Sequence, residues 1–124
     1  MTLLRTGIDL VDTHRIGELI DQLGDTFVHE TWTAEEIKDC NADIERLAAR
    51  FAVKEATIKA LRSGIEQVKL RDIWITNESN GAPKLHLTGT AATQARELGL
   101  AQWSVSLTHD AGLAAAVVVA LGVD

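Results

Sequence analysis

Between Asp43 and Ser63 the chain reads DIERLAARFAVKEATIKALRS, and Gly64 follows. No proline interrupts the run and glycine is a common stop, so one long helix is predicted over 43–63. At about 100° per residue, Ile44, Leu47, Ala48, Phe51, Ile58 and Leu61 fall on one arc. Lys54 lies between Leu47 and Leu61 on that arc, and Glu55 lies between Phe51 and Ala48. Two adjacent charges therefore project toward the side that should meet the core. Burying an unpaired charge costs several kcal/mol, so each must be paired, bound to a ligand or set at the edge of a cleft. Glu55 and Lys59, four apart in the favourable order, equally fit a surface pair worth about 0.3–0.5 kcal/mol.

Working outward, Leu3–Val11 is apolar and β-branched enough for a strand, and Asp12 can cap a helix over 13–23 that Gly24 closes. Thr33 with Glu36 three residues on has capping-box spacing. After the long helix, Ile73–Thr76 and Lys84–Leu87 flank Asn80–Gly81, a hairpin signal. Thr90–Leu98 reads as a short helix ended by Gly99. Gln102–Thr108 and Leu113–Leu121 flank a second turn at 109–112. This order predicts an α+β fold in one domain over 1–124, with a mostly antiparallel sheet packed with one long helix and shorter ones.

The chain has 124 residues and a formal net charge of −6, which argues against nucleic acid or an anionic membrane as partner. Cys40 is the only cysteine, which excludes an internal disulfide and fits a reducing cytoplasm. The opening MTLLRTGIDL lacks a signal-peptide pattern, and the apolar run Leu113–Val119 is too short to span a bilayer, so an untargeted cytoplasmic protein is expected.

Asp9, on the strand face of Gly7 and Val11, is a second charge of interest. It is either a solvent-facing strand residue or, facing Glu55, one of two hard oxygen ligands. Magnesium typically takes one or two carboxylates together with water and phosphate oxygens. In Ser104–Asp110, alternation sets Ser104, Ser106 and Thr108 opposite Trp103, Val105 and Leu107. That hydroxyl row is an exposed polar face or a binding edge ending in His109. No nucleophile elbow, P-loop or dinucleotide fingerprint is present.

Together these stretches resemble the holo-acyl-carrier-protein synthase family, the small phosphopantetheinyl transferases. Gly7–Asp12 with Arg15–Ile16 is similar to the family's first strand and helix, and Phe27, Thr33 and Glu36 to its second element. Arg50–Phe51–Ala52–Val53–Lys54–Glu55–Ala56 with Lys59–Ala60 matches its signature helix. Gly81–Ala82–Pro83 and Ser104–Asp110 match its later motifs. The resemblance implies transfer of 4′-phosphopantetheine from coenzyme A to a serine of an apo acyl carrier protein or carrier domain, in support of fatty-acid biosynthesis. It implies a homotrimer with sites between subunits, and magnesium held by Asp9 and Glu55. Lys59 would bind the phosphate of the transferred arm with Lys54 beside it. Ser106, Thr108 and His109 would meet the nucleotide, with Gly64 and Pro83 shaping the pocket. Glu55, a water on the magnesium and His109 are the alternatives for accepting the serine proton.

Two departures from the family pattern stand out. Relatives often continue the signature helix Lys-Ala-Leu-Gly-Thr-Gly, where this chain has Lys59–Ala60–Leu61–Arg62–Ser63–Gly64. Arg62 either reaches a coenzyme phosphate or extends the helix by a turn. The first helix, basic in many relatives that grip an acidic carrier, keeps only His14 and Arg15 for carrier docking, followed by Glu18, Asp21 and Asp25. A less acidic carrier is the expectation. Three rival readings are a coenzyme-binding module without catalysis, a structural trimer with a buried Lys54–Glu55 pair, and a Ser/His hydrolase.

Overall fold

The computed structural model describes residues 2–64 and 66–123. The chain starts with β1 (Thr2–Asp12), whose last residue caps α1 (Thr13–Thr31) by accepting the His14 N–H at 2.9 Å. Gly24 does interrupt this helix, at φ 68 and ψ −153, but winding resumes beyond it to Thr31, where a stop at Leu23 was expected. The second segment has a reason to coil: Phe27 packs edge-on against the fully buried Trp32, with ring centroids 5.6 Å apart. The capping box at Thr33 and Glu36 is present in both directions and opens α2 (Ala34–Cys40).

Asp43 caps α3 (Ile44–Ala60), the long helix. It ends earlier than predicted. Arg62 adopts a left-handed φ of 52, its N–H donates to Lys59 O and the Ser63 N–H donates to Ile58 O. That is a Schellman stop, with arginine at the position glycine usually holds, so Arg62 terminates α3 and does not extend it. The helix is also buried on more than one arc. Alanines at 48, 52, 56 and 60 form a lean stripe, and Gly7 of β1 lies so close that a Cβ there would sit 1.8 Å from Ala56 O. This approach carries Asp9 to the flank of α3.

A 3₁₀ turn (Leu70–Asp72) leads into the hairpin β2 (Ile73–Asn77) and β3 (Pro83–Leu87); α4 (Gly89–Leu98), β4 (Leu100–Asp110) and β5 (Leu113–Val123) follow. The pairing is antiparallel, as expected, but divided into a three-stranded sheet β1-β5-β4 and the separate ribbon β2-β3. Ala114, Ala116, Val118 and Ala120 of β5 face α3 and are buried. The other face of the same strands is apolar too: Leu4, Ile8 and Leu10 of β1 and Val117, Val119 and Leu121 of β5 are exposed. A sheet apolar on both faces is built to be covered on both. No helix among the described residues is long and apolar enough to cross a membrane.

Candidate active site

Three of the residues singled out by sequence meet where β1 crosses α3. Asp9 alternates inward with Gly7 and Val11, while Ile8 and Leu10 face out at 68% and 64% exposure. Lys59, one turn beyond Glu55, donates from Nζ to Ile8 O at 2.8 Å and lies 3.4 Å from Asp9 Oδ1. Asp9 Oδ2 is buried and has no hydrogen-bond partner. Burial raises the proton affinity of Asp9, and hydrogen bonding and attraction from Lys59 oppose it. Glu55 is raised for the same first reason, burial, with the charge of Asp9 adding to it and Lys59 opposing. Two carboxylates thus share one cation that sits mainly on a backbone carbonyl. Their oxygens, one of them orphaned, fit a small hard cation that completes its shell with water and phosphate oxygens.

Lys54 is a correction. It is fully buried, and its Nζ donates to Glu36 Oε1 at 2.7 Å, to Leu70 O at 3.2 Å and to Ile73 O. An ammonium has three donors, and all three are used inside the protein, so Lys54 has none for a coenzyme. Its partner is Glu36 and not Glu55, which removes the buried Lys54–Glu55 pair of the rival structural-trimer reading. Desolvation lowers the Lys54 pKa and Glu36 opposes that. Glu36 in turn accepts the Thr33 and Ile75 N–H groups. The pair pins α2, α3 and β2 together.

A second group gathers at the opposite edge of the sheet, on β4. A groove of about 530 Å³ is lined by Ser106, Thr108 and His109, by Gly81 and Pro83 of the ribbon turn, and by Asp39, Arg46 and Arg50. Ser106 and Thr108 are exposed, as the alternation predicted. Arg50 is 6% exposed, with Nη1 donating to Ile75 O at 3.2 Å, and His109 Nδ1 lies 3.1 Å from Glu45 Oε2. Sequence reading missed Arg46 and Arg50 as groove residues, and Glu45 as the neighbour of His109. The available signal was that Arg46, Ala49 and Arg50 share a helix face flanking the apolar arc. Gly64 follows the end of α3, where its N–H donates to Gln67 Oε1 at 2.9 Å, and Arg62 is exposed beside it. His14 and Arg15 are exposed on the first turn of α1, with His14 3.7 Å from Glu18.

Residues 5–118 match the family model described as the 4′-phosphopantetheinyl transferase superfamily. The chain belongs to this family. It is 39% identical over 127 residues to the holo-acyl-carrier-protein synthase of Herpetosiphon aurantiacus, covering 97% of this chain and all of that one. The Streptomyces coelicolor synthase is 37% identical, over 98% of this chain and all of its own. Among solved structures, the Helicobacter pylori synthase in complex with coenzyme A superimposes with a TM-score of 0.84 at 33% identity, covering 93% of this chain and 98% of that one. On α3, Glu55 and Lys59 stand at the cluster while Lys54 stands behind it in the core.

Proposed function

We propose that this chain moves the 4′-phosphopantetheine arm of coenzyme A onto a serine of an apo acyl carrier protein, or of a carrier domain of a fatty-acid synthase. Adenosine 3′,5′-bisphosphate is the other product, and fatty-acid biosynthesis in the cytoplasm is the setting. Family membership supports the reaction class, as does the coenzyme A held by the Helicobacter pylori relative. The observation that carries it in this chain is the Asp9–Glu55–Lys59 cluster, with Asp9 Oδ2 buried and unpartnered.

Asp9 and Glu55 are the residues to hold magnesium. When bound, the ion offsets the charge that gathers on pyrophosphate oxygens as the bond to the leaving nucleotide breaks. Lys59, anchored by donors on Ile8 O and Asp9 Oδ1, turns its third toward the phosphate that stays with the transferred arm. The carrier supplies the nucleophile, so the chain needs only to accept a proton. Glu55, at the cluster beside Lys59, is the group for that task. His109, with Ser106, Thr108 and Pro83, is left to the nucleotide end, and Arg46 and Arg50 supply positive charge there.

The cluster lies on β1 and the groove on β4, the two edges of one sheet. Two strand spacings separate those edges, about 10 Å. The exposed Ile8, Leu10, Val117 and Val119 give a face through which copies could join. We therefore place the complete site between subunits of a homotrimer, the cluster of one chain meeting the groove of its neighbour. The carrier docks at His14 and Arg15, which follow Asp9 closely in the chain, and the acids at 18, 21 and 25 favour a carrier of low negative charge.

Mass spectrometry of apo carriers incubated with coenzyme A, magnesium and this protein tests the reading. The expected result is one phosphopantetheine gained on one serine, faster on the less acidic carriers. Coenzyme binding with no gain on any carrier would reduce the protein to a binding module.

A further inference from the structure

The ion pair between His109 and Glu45 joins the last turn of β4 to the first turn of α3, at the mouth of the groove. Glu45 is itself held: its backbone N–H donates to the capping carboxylate of Asp43 at 2.9 Å, and Asp43 also lies 3.8 Å from Arg46. Its side chain sits on a fixed turn and its Oε2 faces Nδ1 of the imidazole at 3.1 Å. A carboxylate there can only accept, so it favours the ring form with the hydrogen on Nδ1. Nε2 is then the nitrogen free to meet a ligand. The other charged groups around the groove are Asp39, Arg46 and Arg50, and none of them is paired with His109. With side chains 43% and 55% exposed, the pair is no core fastener, and its effect is on ring orientation.

We propose that Glu45 is a positioning residue for His109: it holds the imidazole in the Nδ1–H form and aims Nε2 at the nucleotide end of coenzyme A. This rests on the reading that His109 meets the coenzyme in the groove. Glu45 needs no contact with the substrate for this role. An unpaired ring is free to exchange tautomers and to rotate out of the groove, and coenzyme affinity falls by the share of rings so lost.

The test uses the full chain in Glu45→Ala, Glu45→Gln, His109→Ala and the double variant Glu45→Ala/His109→Ala, with steady-state kinetics and ¹⁵N spectra of the histidine ring. Glu45→Ala is expected to raise KM for coenzyme A about threefold to tenfold, the range spanned by coupling between touching side chains, and to leave kcat nearly unchanged. Glu45→Gln, which keeps an acceptor, recovers most of that loss. The wild-type ring shows the Nδ1–H signature, and Glu45→Ala shows a tautomer mixture. In the His109→Ala background, removing Glu45 has no further effect on KM. If His109→Ala raises KM while Glu45→Ala does not, or if their effects simply add, the positioning role is wrong and the groove assignment stands. If His109→Ala itself has wild-type kinetics, the groove assignment fails and takes this role with it. Because both readouts are made on folded protein, a loss of stability in Glu45→Ala does not imitate a change of tautomer.

Discussion

Lys54 and Lys59 sit five residues apart on one helix, and their surroundings are opposites. Lys54 has every donor used, on Glu36 and two carbonyls, and no exposed surface. Lys59 is 56% exposed at its side chain, spends one donor on Ile8 O and faces two carboxylates whose charges it does not balance. A saturated buried network holds elements in place, since any missing member leaves the others unpaired. An unsaturated cluster at a cleft is poised for a ligand that supplies what is missing. This one helix therefore contains a lysine that builds the protein and a lysine left open to a ligand.

The largest effect should come from breaking the saturated side. Lys54→Met leaves the Glu36 carboxylate and the Leu70 and Ile73 carbonyls without their shared donor, and should cost about 3–5 kcal/mol in denaturant unfolding. Replacing Glu36 by Leu in the same chain should recover part of that. A loss below about 1 kcal/mol for the single change would mean that the pin carries little.

On the unsaturated side the pattern should reverse. Glu55→Gln is expected to lower turnover about 10²- to 10³-fold, the scale of losing one group that stabilises transition-state charge. Its melting temperature should hold or rise, because the change removes a half-buried charge facing Asp9. Asp9→Asn should behave alike and need more magnesium. Wild-type rates for Glu55→Gln at saturating magnesium would break the assignment.

A pH series sharpens the same contrast. Asp9 and Glu55 both have raised pKa values in the folded protein. The native state therefore holds their protons to a higher pH than the unfolded chain does. In metal-free protein these two groups weaken folding once pH passes above their unfolded values, and that cost fades as pH falls through the raised ones. Magnesium competes with those protons. The thermal shift on adding magnesium should be largest at pH 8 and shrink on acidification, beginning to fall at a higher pH than carboxylates of ordinary pKa, about 4, would require. A shift that does not change with pH would place the ion elsewhere.

The smallest effect belongs to the helix end just past Lys59. Arg62→Gly should stabilise by about 1 kcal/mol, since a side chain in the left-handed region is strained and glycine is not. The coenzyme KM of the same variant reads separately whether the guanidinium touches a phosphate.

Much of the architecture was legible because its signals are local. Asp12, and Thr33 with Glu36, each cap the helix they were expected to cap. Asn80–Gly81 turns the ribbon, with Asn80 Oδ1 accepting the Ala82 N–H at 2.9 Å and Gly81 at φ 86. The alternation in β4 places its hydroxyls outward. Gly24 and Arg62 misled for separate physical reasons. A glycine breaks a helix only locally, and packing of Phe27 on Trp32 restarts it. An arginine can accept a left-handed conformation when two backbone hydrogen bonds close the stop.

Periodicity placed Lys54 and Glu55 on the side of the helix that meets other elements, and chemistry required each to find a partner. Sequence alone determined that much, along with the order of elements and the family to which the signature helix is similar. Which partner each found was decided by tertiary structure. Glu36 reaches Lys54 from a different helix, Asp9 reaches Glu55 because Gly7 lets a strand lie against Ala56, and Glu45 reaches His109 across the groove. Spacing along the chain reports which face a side chain takes, whereas Glu36, Asp9 and Glu45 reach the charges they meet only through packing.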